Sequence, residues 1–174
     1  MTAKDYAIAK HGSQKYGGSL PYSAHLEAVC GVLKEYGYTT AEHLDSAYLH
    51  DVLEDCCPTP AEKAATALEI AKTYGEAVAS AVAFCTDAEG ATRKERKAGS
   101  YARWTAAREA SDPHYELGAR VKLADRLANL RHCEEGSRMM EKYRGEAESF
   151  KKALHAAGVS DAMWAEYDKL VTPA

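Results

Sequence analysis

The apolar residues of this 174-residue chain recur at helical spacing almost from end to end, and no segment shows the alternation of a half-buried strand. That pattern confines the chain to helical architectures, which turn residues then cut into pieces. A first helix is expected over Ala3 to Gln14, broken by Gly17, Gly18, Ser19 and Pro21. A second runs from about Tyr22 to Tyr36 and stops at Gly37. A third begins near Thr40, carries Leu44, Ala47, Tyr48, Leu49, Val52 and Leu53, and ends before Pro58. Thr59-Pro60-Ala61-Glu62 is a helix start, with Thr59 as cap, Pro60 at the first position and Glu62 closing a capping box. That helix reaches Tyr74, and the next begins at Gly75 and ends near Cys85. A polar loop from Thr86 to Thr92 precedes a charged amphipathic helix from Arg93 to Ala110. Asp112-Pro113 opens a helix carrying Val121, Leu123, Ala124, Leu127 and Leu130. Two more fill Ser137 to Ala157 and Ser160 to Val171. There is no repeat and no dividing linker, so one domain over residues 1–174 is expected.

Leu, Ile, Val and Phe together make only 25 of the 174 residues, but 33 Ala and 11 Tyr add buriable surface, and Ala lets helices approach closely. With a net charge of only −4, the composition fits a compact helical domain and not a disordered chain. It shows no basic footprint for nucleic acid, and no apolar run of the ~18 residues that a membrane span needs. Residues Met1 to Lys10 lack the apolar core of a signal peptide. The five Cys (Cys30, Cys56, Cys57, Cys85 and Cys133) are odd in number and include no C-x-x-C, which argues against a disulfide framework or a zinc knuckle and for a cytoplasmic setting.

The chemistry centres on His50-Asp51-Val52-Leu53-Glu54-Asp55. Adjacent His and Asp offer an imidazole nitrogen and a carboxylate oxygen, ligands suited to Mn, Fe, Zn or Mg. On a continuous helix Glu54 lies one turn beyond His50, and Asp55 one turn beyond Asp51. Several ionised carboxylates in a confined site are costly without a cation; otherwise the group is a set of solvated charges at a helix end. Elsewhere in the chain, His25 stands on the preceding helix. Asp125 is flanked by Leu123, Ala124 and Leu127, a partly buried setting in which a carboxylate needs a partner.

The order His25, His50-Asp51, Asp125 resembles the metal signature of the HD superfamily of phosphohydrolases. The chain is most similar to the hydrolase domain of the RelA/SpoT alarmone enzymes and their small stand-alone relatives. Five segments carry the likeness: His11-x-x-Gln14 with Pro21-Tyr22-x-x-His25; Leu49 to Asp55; Thr59-x-x-Glu62 with Tyr74-Gly75; Val82 to Thr86; and Val121-Lys122-Leu123-Ala124-Asp125-Arg126-Leu127-x-Asn129. The resemblance implies an all-α HD-domain bundle of about eight or nine helices. It implies that His25, His50, Asp51 and Asp125 hold one divalent ion, Mn2+ in alarmone hydrolases, that Glu54 and Asp55 orient and deprotonate a water, and that Asn129 helps place a small-molecule nucleotide. Four protein ligands on a six-coordinate ion leave room for water and a phosphate oxygen, unlike a closed structural zinc site.

Around this set, His11 is either a core histidine or a support behind the ligands. Lys122, one turn before Asp125, is a candidate phosphate contact, and Arg126 is either that or an ion-pair partner. The basic run Arg93 to Lys97 is either a solvated face or a rim that meets a polyanion. His43, His114, His132 and His155 carry no spacing that argues for function. The chain departs from the family at three places. Tyr16 falls where those enzymes have a base-stacking Arg, Leu26 where Pro usually follows the metal His, and Asp87 follows Thr86 where Lys is usual. Tyr16 either stacks on the base with weaker discrimination or packs into the loop Gly17-Gly18-Ser19. The expected activity is hydrolysis of the 3′-pyrophosphate of (p)ppGpp- or (p)ppApp-like alarmones. The alternatives are a 5′-nucleotidase or other nucleotide pyrophosphohydrolase of HD type, and a non-catalytic nucleotide-binding regulatory domain. The presence of both Glu54 and Asp55 argues against the last, because a pure binder needs no water-activating pair.

Overall fold

The computed structural model describes residues 1–155 and 158–173. Among them are ten helical segments, nine of which have nine residues or more: α1 (Ala3–His11), α2 (Ser23–Glu35), α3 (Ala41–Leu49), the single turn α4 (Val52–Asp55), α5 (Pro60–Tyr74), α6 (Glu76–Cys85), α7 (Arg93–Glu109), α8 (Tyr115–His132), α9 (Arg138–Leu154) and α10 (Asp161–Val171). The fold is all-α, as the periodicity requires. Ala157, the expected end of the penultimate helix, lies outside the described residues. The caps follow the local chemistry. Thr59 and Glu62 complete the expected capping box, and Thr92 with Glu95 forms another at the head of α7.

Helix α8 is the axis of the molecule, with 13 of its 18 residues buried. It packs against α2, α3, α6, α7, α9 and α10. One apolar cluster surrounds it, and a second joins α1, α4, α5 and α6. The scarcity of branched aliphatics is resolved by pairing small with large side chains. Ala47, Ala81, Ala119 and Ala124 are wholly buried, and so are Trp104 and Phe150. No helix of the described residues is long and apolar enough to cross a membrane, and all five cysteines are free.

Two expectations need correction. The first helix ends at His11, not Gln14, and the stretch expected to lack strands contains a small antiparallel hairpin. Its strands are β1 (Lys15–Tyr16) and β2 (Leu20–Pro21), with Lys15 opposite Pro21 and Tyr16 opposite Leu20. Such a short ribbon carries no alternating pattern to read. It is made by glycines at positive φ, +57° at Gly17 and +86° at Gly18, and it is tied to the body through Tyr16. A Cβ on Gly17 would strike His132 Nε2. Gly17→Ala should therefore cost about 1–3 kcal/mol, which for a chain of this size lowers Tm by ~2–4 °C per kcal/mol. A melting curve that does not move would contradict this placement of the hairpin.

The second correction concerns the third helix, which does not run unbroken to Pro58. It stops at Leu49, with His50 and Asp51 forming a turn before α4. Asp51 sits at φ −101°, ψ −2°, between helix and strand backbone. A continuous helix would splay adjacent side chains by about 100°. The break instead lets Asp51 Oδ2 approach to 2.9 Å from His50 Nε2.

Candidate metal centre

His25 comes from the first turn of α2, His50 and Asp51 from the α3–α4 turn, and Asp125 from the middle of α8. His25 Nε2 lies 3.3 Å from His50 Nε2, 3.6 Å from Asp51 Oδ2 and 3.3 Å from Asp125 Oδ1. His50 Nε2 lies 3.7 Å from Asp125 Oδ1. The ligand atoms of His25, His50 and Asp51 thus lie within 4.8 Å of one another, and Asp125 Oδ1 adjoins both ring nitrogens, so the four sequence-expected residues are neighbours. Both histidines and Asp125 are buried, and Asp51 is nearly so.

The chemistry of this donor set fits a divalent cation. His50 Nδ1 lies 2.8 Å from the Ala47 carbonyl, which can only accept, so Nδ1 carries a proton and Nε2 is the nitrogen turned into the site, where a bound cation would displace its proton. Burial opposes the charge of each group, and neighbours outweigh it. Asp51 and Asp125 raise the His50 pKa to about 10, and Asp125 followed by Asp51 raises that of His25. In return His50 and His25 hold Asp51 well below the usual carboxylate range. For Asp125 the main opponent of burial is Lys122, whose Nζ lies 3.0 Å from Oδ2. Tyr22, its hydroxyl on Asp51 Oδ2, and Asn129, whose amide donates to Asp125 Oδ1 at 2.6 Å, orient the two carboxylates.

His25, Asp51 and Asp125 open into a polar cavity of about 180 Å³, and His50 is wholly buried. Larger and more open depressions run between α7 and α9, at residues such as Arg108, Lys151 and Tyr101, but no such convergence of donors lies there. Glu54 and Asp55 line the cavity beside Asp51. Glu54 Oε2 accepts the Asp87 backbone N–H at 3.0 Å, and partial desolvation raises its pKa despite the nearby Lys122. Asp55 accepts from the Gln14 amide at 2.7 Å, and Gln14 Oε1 is 2.9 Å from His11 Nδ1. His11 is therefore buried support two bonds behind the cavity, not a ligand.

The expected substrate contacts divide. Lys122, Asn129 and Tyr16 line the cavity. Tyr16 does not pack into the glycine loop, yet its ring is already flanked by His25 at 4.7 Å and His132 at 4.6 Å, while its hydroxyl donates to Asn129 Oδ1 at 3.1 Å. His132, which carried no sequence signal, thereby supports the site. Arg126 is an ion-pair partner of Glu146 that also lines the cavity. From the basic run Arg93 and Lys97, one turn apart, face the cavity, whereas Lys94 is exposed. Lys97 Nζ donates to Asp87 Oδ1 at 2.8 Å. Sequence reasoning missed Asp87 as a lining residue, and also Tyr22 and Tyr143; only the spacing of Arg93 and Lys97 hinted at this wall.

An HD domain family model matches residues 3–157. Comparison with curated protein sequences gave no match. Among solved structures, the chain is similar to a metazoan ortholog of SpoT that hydrolyzes ppGpp and plays a role in starvation responses, with a TM-score of 0.71 and 24% identity over 97% of this chain and 90% of that one. It is also similar to a protein of Listeria monocytogenes EGD-e, with a TM-score of 0.58 and 22% identity over 84% of this chain and 95% of that one.

Proposed function

The chain belongs to the HD domain family of metal-dependent phosphohydrolases, and we propose that it hydrolyses the 3′-pyrophosphate of guanosine or adenosine alarmones, releasing pyrophosphate and a 5′-nucleotide. One observation carries this reading. His25, His50, Asp51 and Asp125 are neighbours beside a cavity that Glu54, Asp55 and Lys122 also line. The ppGpp hydrolysis of the metazoan relative, which shares the fold, supports the same substrate class.

His25 and His50 would supply the nitrogen ligands, and Asp51 and Asp125 the oxygen ligands, of one divalent ion, Mn2+ being the expected one. When bound, such an ion lowers the pKa of its water and neutralises phosphate charge. Glu54 is placed to take the water proton: the Asp87 N–H occupies Oε2 and leaves Oε1 free, and partial burial raises its pKa, which favours proton uptake. Asp55, held by Gln14, orients the water. Asn129 and Tyr16 form the wall against which a ribose would rest.

A purine would find the Tyr16 ring already in contact with His25 and His132, and Tyr16 brings no charge of its own, which weakens base discrimination. Guanosine and adenosine 3′-pyrophosphates should therefore be split with kcat/KM values within about tenfold, or ~1.4 kcal/mol. A preference beyond a hundredfold in either direction would place a selective base contact elsewhere. The same covered ring keeps open a second reading, an HD hydrolase acting on other nucleotides. A panel of 5′-nucleotides and both alarmones, with pyrophosphate and orthophosphate read separately, decides between them. Orthophosphate from a 5′-monophosphate would favour the second reading.

A further inference from the structure

Resting on the hydrolase reading, we propose that His11 is a positioning residue for the water-orienting carboxylate: its Nδ1–H fixes the polarity of the Gln14 amide, and that amide holds Asp55 in its working orientation. The local chain makes the arrangement. His11 is the last residue of α1, and Gly12, at φ +54°, turns the backbone so that the Gln14 N–H donates to the His11 carbonyl at 3.0 Å. The Gln14 carbonyl in turn accepts the Tyr22 N–H at 3.1 Å, so the Gln14 backbone is held on both sides. Its side chain has two partners. Oε1 lies 2.9 Å from His11 Nδ1, and Nε2 lies 2.7 Å from Asp55 Oδ2.

The direction of this chain of bonds follows from its far end. A carboxylate can only accept, so Gln14 must present its NH2 to Asp55 and its carbonyl oxygen to His11. His11 Nδ1 must then carry a proton. Cys56 Sγ, 3.5 Å from the same nitrogen, is a weaker acceptor for it. The remainder of the ring makes no other hydrogen bond among the described residues. His11 is 6% exposed, and its Nε2 is buried without a partner. One face stacks on Tyr22, with ring centres 4.2 Å apart and planes 20° from parallel, and the Tyr22 hydroxyl rests on Asp51. A buried polar nitrogen without a partner is costly. A phenyl ring would fill the same place and keep the stack without that cost. The feature of imidazole that the fold uses is therefore Nδ1, turned to Gln14.

His11→Phe removes that donor and keeps the ring on Tyr22. In the Mn2+-loaded protein it should lower kcat on an alarmone by ~10-fold, the loss expected of a supporting hydrogen bond, with KM and calorimetric Mn2+ affinity within about threefold of the parent. In the Asp55→Asn background the same change should cost less than about twofold, because an Asn amide meets Gln14 with either polarity. NMR of the Mg2+-loaded protein, which is diamagnetic, should show the His11 proton on Nδ1 and a Gln14 side-chain N–H resonance that moves upfield in His11→Phe. A parental kcat in His11→Phe, a loss of equal size in both backgrounds, a matching loss of Mn2+ affinity, or a proton on Nε2 in place of Nδ1 would each overturn the role of His11. Should the parent split no alarmone, the hydrolase reading falls and the NMR arm alone judges His11. An unmoved Gln14 resonance then overturns its role, and a shifted one keeps the Asp55 contact under its control.

Discussion

Asp51→Asn should lose most of its bound divalent ion and, with it, its activity. Asp51 lies against both imidazoles, 2.9 Å from His50 Nε2 and 3.6 Å from His25 Nε2, and its carboxylate is held ionised by them. An amide of the same shape brings a neutral, weaker oxygen donor. Loss of residues that merely support ligands costs ~10–100-fold in metal affinity, so loss of a ligand charge should cost at least about 100-fold. Metal content by mass spectrometry after dialysis, beside a circular dichroism melt, checks it. A folded variant with one ion per chain and parental turnover would remove Asp51 from the ligand set.

Glu54→Gln separates holding the metal from doing the chemistry. Among the described residues Glu54 makes no hydrogen bond or ion pair with His25, His50, Asp51 or Asp125; its partner is the Asp87 backbone N–H. The variant should keep its ion and lose turnover by ~10²-fold or more, the scale of a general base. Asp55→Asn should show a similar loss if the two share the water, and its Gln14 contact can survive in part because an Asn oxygen still accepts. Parental rates in both variants would leave Glu54 and Asp55 as acidic neighbours and strengthen the reading of a non-catalytic nucleotide-binding domain.

The helices were legible because each residue type agrees with its place: Thr59 and Glu62 cap, Gly75 stops, and apolar stripes face α8. The four clustered residues, His25, His50, Asp51 and Asp125, were legible through a family resemblance resting on Leu49 to Asp55 and Val121 to Asn129. The break at His50–Asp51 was not, because Val52 and Leu53 continue the apolar period across it, while the contacts that accompany the turn, from Tyr22 and the imidazoles to Asp51, are tertiary. Nor was the hairpin, whose two-residue strands depend on glycine backbone and on Tyr16 reaching Asn129. The second wall of the cavity was hidden for a different reason. Arg93, Arg126 and Glu146 are far apart in sequence, and an amphipathic helix reads the same whether its basic stripe meets water or a cavity.

The central claim, metal-dependent removal of a 3′-pyrophosphate, is tested most directly by one stoichiometric assay. Purified protein is dialysed against chelator, reloaded with Mn2+ and mixed with guanosine 3′,5′-bis(diphosphate), with every phosphorus product followed by 31P NMR. The account predicts one pyrophosphate and one GDP per molecule consumed, and no turnover in the chelated sample. Orthophosphate as the first product, undiminished turnover without metal, or an intact substrate in the reloaded sample would contradict it.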